Sequence, residues 1–466
     1  MQIQIEKLIY GGDGLSHLPP DEHGKGKTVF LPFVIPGEQV EATVVESRPG
    51  FARAKLDRVL TPSPERMDPP CPYFARCGGC HYQHIDYDAQ LRYKADILRE
   101  TLRRTAKLEL EQDIQLHSAE PCNYRNRTRM RVRHTPQFTL GYNVLNSHDV
   151  LAVESCPISS PLINQAIAAV WKFGRDGAVP ESLQGLQFFA DHADAMLLVE
   201  AYVRPEKDPK SHLSKSSLGG APAPKADKNK LNDAAVGCQP FAAALRQALP
   251  QLTGVVVFAT SPVDDEGRQR APLTSIHPEP GLPIGDNFLV YHSVGHDYRV
   301  SAGSFFQTNR YLLDQLVQIV VGTQTGRAAL DLYAGAGQFT AQLVRNFDTV
   351  LAVESSPHSF VDLRHNVPPH IKTIRATTEN FLAERAAKLA LDVVVVDPPR
   401  AGLGEKVATA LGRMTMPRMT YVSCDPATLA RDLQTLVKFN FRVEQAHLVD
   451  MFPQTFHMET VLHLVR

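Results

Sequence analysis

The chain has 466 residues, 43% of them hydrophobic, with 49 Lys+Arg against 50 Asp+Glu and a formal net charge of -1. That length exceeds one ordinary core and implies about two to four domains. No apolar run reaches membrane-span length, and Met1 to Lys7 is not a signal segment, so a cytoplasmic chain with no membrane contact and no obligate protein partner is expected. Near-neutral charge leaves RNA open as a partner, because a local basic stripe can coexist with acidic surface elsewhere.

Residues 1–61 read as a small all-β unit. Apolar-alternating runs (Gln2 to Leu8, Thr28 to Phe33, Gln39 to Glu46, Phe51 to Val59) are separated by Gly/Pro turns, as in a small barrel. Gly11-Gly-Asp-Gly14 is a turn and not a phosphate loop, since neither a helix nor a lysine follows at the right distance. Pro62 to Pro70 reads as a linker into a central α+β domain over 62–300.

Cys71, Cys77 and Cys80, with Gly78-Gly79 between the last two, and the distant Cys156-Pro157 form a ligand-like set in a reducing compartment. Four thiolates suit zinc or a four-iron cluster; three clustered cysteines plus one distant Cys-Pro lie closer to iron-sulfur ligation, and reduced unliganded thiols are the bland alternative. Cys122 and Cys238 have no motif around them.

Tyr87 to Leu102 has helical spacing, and Tyr124 to Val203 returns to strand-like alternation around a helix near Leu162 to Phe173. Arg125, Arg127, Arg129, Arg131 and Arg133 recur at every second residue, so a strand would display them on one face. Such a face would contact RNA, unless carboxylates or solvent answer it. Residues 204–237 carry many lysines among Ser, Pro, Gly and Asp, and read as a disordered insertion.

From 301 to 466 strands alternate with helices: Ala328 to Tyr333, Val350 to Glu354, Ile371 to Thr377, Leu391 to Asp397 and Met419 to Cys424. β-branched strands of this kind imply a doubly wound parallel sheet. Gly335 and Gly337 follow the first strand and let backbone approach a ligand, while Glu354 closes the next and is placed for ribose hydroxyls. The missing third glycine and Asp397-Pro-Pro-Arg400 favour S-adenosylmethionine over a nicotinamide. Cys424 ends a strand just before a helix expected over 427–438, whose first turn would favour a thiolate. The plain alternative is a small buried hydrophobe.

Together, Ser304-Phe-Phe-Gln-Thr-Asn309, the glycine loop, Asp397-Pro-Pro-Arg-Ala-Gly-Leu403, Ser423-Cys-Asp-Pro-Ala-Thr-Leu429, Asp450 to Glu459 and the four cysteines resemble the RNA uracil-C5 methyltransferases with a TRAM domain and an iron-sulfur cluster. The resemblance implies a multidomain α/β protein: a TRAM/OB-like RNA-binding barrel (1–61), a central iron-sulfur domain (62–300) and a class I S-adenosylmethionine methyltransferase domain (301–466). It implies that Gln307, Tyr333, Gly335, Gly337, Glu354, Thr378 and Asp397 contact the cofactor, that Cys424 is the nucleophile and that Glu459 is the base. It also implies a 4Fe-4S cluster on Cys71, Cys77, Cys80 and Cys156, and large-subunit (23S) ribosomal RNA as substrate ahead of tRNA. Three departures stand out: Asp425 where the family has asparagine, Ser301-Ala-Gly-Ser304 without the usual proline, and Thr377-Thr378 where an acidic or amide residue often meets adenine. An amine N-methyltransferase would leave Cys424 without a role, and a non-catalytic RNA-binding protein would need neither Cys424 nor Glu459.

Overall fold

A computed structural model describes residues 1–18, 26–204, 233, 235–259, 283–385 and 389–466. Most of the insertion expected at 204–237 lies outside the described residues. The chain forms two compact units, neither of them a single stretch of sequence. One holds Met1–Cys122, Tyr311–Ser355 and Val367–Arg466; the other holds Asn123–Arg310 and Ser356–Asn366.

In the first unit, residues 2–61 make a six-stranded sheet, ordered Gln2–Gln4, Gln39–Arg48, Phe51–Thr61, Thr28–Pro32, Asp13–His17, Lys7–Leu8. Alternation decides which side chains point inward: Val29 and Leu31, Val40 and Ala42, Ala52 and Ala54 join Ile3, Ile5 and Val34 in one core. The following linker is anchored to this sheet. Arg66 donates through Nε and Nη2 to the fully buried Glu38 at 2.5 and 2.7 Å, and the Ile35 and Ser63 amides donate to the same carboxylate.

The same unit contains an eight-stranded sheet, ordered Lys372–Arg375, Phe347–Glu354, Gly326–Leu332, Val393–Val396, Arg418–Ser423, Glu459–Val465, Arg442–Val449, Ile114–His117. The first five strands are parallel. Glu459–Val465 runs antiparallel to both its neighbours, so the sheet is mixed and not wholly parallel. The segment between Val449 and Glu459 is shorter than the dozen or so residues a parallel crossover needs, which forces the reversal.

A second difference from the sequence reading lies at the sheet edge. Ile114–His117, which the sequence placed in a central domain, pairs in parallel with Arg442–Val449. Helix Tyr87–Thr101 accompanies it; Asp86 caps that helix by accepting from the Asp88 and Ala89 amides, and Ala89, Ile97 and Leu98 enter the core that also holds Leu433 and Leu462.

This helix also contributes to a fully buried ion pair. Lys94, fully buried, donates to Asp450 Oδ1 at 2.6 Å and to the Phe452 carbonyl at 3.1 Å, and the Tyr87 hydroxyl donates to Asp450 Oδ2 at 3.0 Å. Gln90 donates to Gln454 Oε1 at 3.0 Å and accepts from the Gln454 amide at 3.1 Å. The 450–459 segment is thereby fixed without a regular element of its own.

The second unit is built on a seven-stranded sheet, ordered Val150–Ala152, Thr139–Asn143, Arg127–Arg133, Leu183–Ala190, Leu197–Val203, Leu252–Ala259, Ile284–Gly285. Helix Pro161–Arg175, capped by Ser160 with proline at its first position, and helix Gln239–Ala248 belong to it, as does the hairpin Phe288–Ser293/His296–Ser301.

Candidate active site

Strand Arg418–Ser423 delivers Cys424 to the carboxyl edge of the eight-stranded sheet, and Asp425 caps helix Pro426–Leu436. The Ala427 and Thr428 amides donate to Asp425 Oδ1 at 3.0 and 2.9 Å. Asparagine and aspartate serve equally well at this position, which accounts for the departure noted in the sequence. It also corrects the expectation of a thiolate favoured by the helix start, since the first-turn amides are taken by Asp425. Burial, then Glu459, Asp397 and Asp425, push the half-buried Cys424 thiol up to about 12 against the opposing charge of Arg400.

Glu459 opens the antiparallel strand whose Thr460 pairs with Ser423, so Glu459 falls one step further along the register, at Cys424. It is 3% exposed, and burial followed by the Asp397 charge holds its carboxyl well above the usual range, with Arg400 opposing. Arg400 Nη2 also lies 3.4 Å from His457 Nε2. Arg400 is therefore the cation that lowers both candidate reacting groups, a role its sequence position did not reveal. Its loop is held by Asp432, which accepts from the Leu403 amide at 2.7 Å and from the Tyr421 hydroxyl at 2.7 Å. No spacing signal marked Asp432, because it sits inside a helix.

Most of the residues expected to contact the cofactor gather at the ends of neighbouring strands. Tyr333, Gly335 and Gly337 have φ of 63°, 56° and 90°, and the Gly335 amide donates to Glu354 Oε2 at 2.8 Å. A side chain on Gly335 would point into open space. Asp331 is fully buried; Thr340 donates to its Oδ2 at 2.5 Å, and its Oδ1 has no hydrogen-bond partner. Burial and neighbouring carboxylates push Asp331 and Asp397 up to about 7. Tyr333 hydrogen-bonds the buried Thr378 and is raised to about 12 by burial. Three carboxylates at adjacent strand ends, one with an unsatisfied oxygen, fit a cationic ligand rich in hydroxyls such as S-adenosylmethionine. Gln307 is buried and belongs to the second unit, on the segment after its hairpin.

Cys71, Cys77 and Cys80 share one loop of the first unit, whereas Cys156 is in the second, its amide donating to Asn164 Oδ1 at 2.8 Å. Among the described residues no group of three or more His, Cys, Asp or Glu side chains is gathered to hold a metal ion. The donor types suit a cluster; their assembly is not seen.

Of the five arginines, strand Arg127–Arg133 carries four on one face, as its alternating burial requires. Three of them serve partners within the unit, Arg131 donating to Asn143 Oδ1 at 3.2 Å and to the His148 carbonyl at 2.9 Å. Arg127 donates to buried Glu200 at 2.7 Å and to the Ser304 carbonyl at 2.5 Å, and Arg129 lies over the Tyr202 ring at 3.6 Å. Arg125 sits at isolated bridges to Ser159 and Asn309, while Arg131 and Arg133 are exposed. Phe306 is buried and Phe305 is 63% exposed.

The sequence model of the family described as tRNA (Uracil-5-)-methyltransferase matches residues 286–466. A 23S rRNA (uracil(1939)-C(5))-methyltransferase RlmD of Pseudomonas putida is 30% identical over 468 residues, covering 99% of this chain and 92% of the relative. The chain belongs to the RNA uracil-C5 methyltransferase family. An RNA methyltransferase of Aquifex aeolicus of uncharacterised specificity is 29% identical over 99% of the chain and 97% of its own length. The structure of the Pyrococcus abyssi tRNA (uracil-54, C5)-methyltransferase in complex with S-adenosyl-L-homocysteine shares the fold, with a TM-score of 0.70 at 22% identity over the whole of both chains. This methyltransferase uses S-adenosylmethionine to methylate RNA uracil at C5. Among the described residues no helix is long and apolar enough to cross a membrane.

The two raised aspartates make cofactor binding pH-dependent. Their folded values near 7 exceed the ordinary 3.8, so the stability they lend the ligand-free protein is complete below 3.8 and lost as pH rises through about 7. A cationic ligand favours the ionised forms, with the opposite slope. The thermal shift given by S-adenosylmethionine should therefore grow between about pH 5 and 8; differential scanning fluorimetry showing an unchanged or shrinking shift would contradict the assignment.

Proposed function

We propose that Cys424 adds to C6 of a target uracil, that the resulting enolate carbon C5 takes the methyl group, and that Glu459 then removes the C5 proton so that the Cys424 sulfur is expelled. The observation that carries this reading is the antiparallel register bringing Glu459 to Cys424 at one sheet edge. C5 of uracil is too weak a nucleophile until sulfur adds at C6, which is why a thiol and a carboxylate are both needed. S-adenosylmethionine, when bound, supplies the electrophilic methyl; Asp331, Glu354, Asp397, Tyr333, Thr378 and the Gly335–Gly337 turn would hold it, and Gln307 is a proposed contact on the family resemblance alone. The target base must leave its stack to meet Cys424.

The substrate we favour is 23S ribosomal RNA, on the near full-length relative of that name; transfer RNA is the alternative, on the names of the family model and of the Pyrococcus abyssi enzyme. Labelled methyl transfer to each unmodified RNA, followed by nucleoside analysis, decides between them. Cys424→Ala should abolish 5-methyluridine formation and retain cofactor binding, and Glu459→Gln should accumulate a protein–RNA adduct stable on denaturing gels. Turnover by Cys424→Ala would overturn the mechanism.

We further infer that RNA contact on the arginine strand falls to Arg133 and to the outward side of Arg131, since Arg127 and Arg129 are held by buried partners whereas Arg131 is held only by the exposed Asn143 and His148. Replacing both exposed arginines with glutamine should weaken RNA binding and lower its salt slope; unaltered binding at several salt concentrations would remove them from the interface. The residues 1–61 are assigned as an RNA-binding TRAM-like unit on the same resemblance.

The four-cysteine set is proposed as a 4Fe-4S site on donor chemistry alone. Anaerobically purified protein should be brown, absorb near about 400 nm and contain iron and sulfide; colourless protein with stoichiometric zinc would replace the cluster with a zinc site.

A further inference from the structure

The turn Ile9–Asp13 of the N-terminal sheet reaches the catalytic segments of its own unit. The Ile9 amide donates to the Asp13 carbonyl at 2.9 Å and the Gly12 amide to the Ile9 carbonyl at 3.2 Å, closing the turn. Its tip is packed. Gly12 has φ +94°, and a Cβ there would meet the His81 Cβ at 3.2 Å and the Phe456 ring at 3.3 Å. Next to it Tyr10 stands edge-on to Phe456, with ring centroids 5.4 Å apart at 88°. Its hydroxyl shares its one proton between the Cys424 carbonyl, 3.4 Å away, and the Asp425 carboxylate.

We propose that Tyr10 is a positioning residue for the nucleophile: its phenol holds the Cys424 carbonyl and the Asp425 carboxylate, and its ring braces Phe456 on the segment that ends in Glu459. The proposal rests on the reading of Cys424 as nucleophile. The charge that Asp425 places beside Cys424 opposes thiolate formation, and a phenol donating to that carboxylate draws part of the charge away. Burial and Asp425 push the phenol up, so it stays protonated and can donate throughout the working range. The N-terminal turn thus completes the active site as well as any RNA-holding surface around it.

The test compares Tyr10→Phe, which keeps the ring against Phe456, with the wild type as full-length protein. Alkylation of Cys424 by iodoacetamide against pH, resolved by peptide mass spectrometry, should shift upward by about one pH unit, tenfold less thiolate at a given pH. The turnover number should fall about tenfold in step, with KM for S-adenosylmethionine unchanged. Asp425→Asn should suppress the effect, so that Tyr10→Phe in that background alkylates as Asp425→Asn alone does. An unshifted alkylation profile in Tyr10→Phe, an equal shift in both backgrounds, or a raised KM for S-adenosylmethionine would overturn the proposal. Turnover by Cys424→Ala would instead remove the nucleophile reading, while the alkylation comparison, which needs no RNA, still decides what Tyr10 does to the thiol.

Discussion

The buried ion pair of Lys94 and Asp450 governs how the two proposed reacting groups meet, because Glu459 reaches Cys424 only if the irregular segment before it is held in one place. Taking a lysine and an aspartate fully out of water is costly, and a well-packed apolar pair would often be as stable. Burial pulls the Lys94 ammonium below its ordinary value while Asp450 pushes back. What the pair gives is uniqueness. Lys94 also binds the Phe452 carbonyl and Gln90 binds Gln454 twice, so a non-helical stretch with Gln454 at φ 68° has few alternative courses. Losing one partner would strand a buried charge, a penalty of about 3–5 kcal/mol. The Gln454 carbonyl in turn accepts from the His81 and Tyr82 amides at 2.9 and 3.0 Å, tying the end of the cysteine loop to the same stretch.

A second constraint follows from the concentration of acid at one sheet edge. Asp331, Glu354, Asp397 and Glu459 all come to the carboxyl ends of neighbouring strands or to the register position beside them, and Asp425 adds a fifth carboxylate next to Cys424. Burial first, and then Glu354 acting on Asp331, Asp331 on Asp397 and Asp397 on Glu459, raises three of these carboxyls, and burial with Glu459, Asp397 and Asp425 holds the thiol up in turn. Two agents answer them. A cationic cofactor would do so at Asp331 and Glu354, and Arg400 does so at Cys424 and Glu459. On the proposed roles, Cys424 holds a proton that its addition to uracil requires it to lose, and a cationic cofactor would arrive where acid is already gathered to meet it.

Much of the fold was legible because parallel strands buried on both faces announce themselves as runs such as Val393 to Val396, and half-buried strands as alternation such as Val29, Leu31. The reversal of Glu459–Val465 was not, since an apolar strand looks the same in either direction; only the shortness of its connection betrays it. Nor was the recruitment of Tyr87 to His117 into the eight-stranded unit, because a chain that leaves for another unit and returns gives no local sign of the detour. At the site, Cys424, Glu459 and the glycine loop were legible as motif residues. Lys94, Asp432 and Tyr10 were not, as each acts through a contact more than ten positions away in sequence and none sits in a spacing that chemistry requires. The arginine stripe shows the same limit: period two fixed the face, yet nothing in the pattern distinguished Arg127, answered by buried Glu200, from Arg133, which is exposed.

Asp425 ties these threads together. As a helix cap it is interchangeable with asparagine, so the structure tolerates either; as a neighbour of a thiol it is not, because the carboxylate brings a charge that asparagine lacks. A chain that keeps aspartate here must offset that charge or work with less thiolate. Two groups around Cys424 are placed to do so, Arg400 from the loop after Val393–Val396 and the Tyr10 phenol from the N-terminal turn. The guanidinium acts over distance and on Glu459 as well, so it cannot lower the thiol without also lowering the base. The phenol acts at the loop of Cys424 and Asp425 alone. On the proposed roles, separate control of Cys424 as nucleophile and Glu459 as base requires a neutral donor on the side of Cys424, and that is the position Tyr10 occupies.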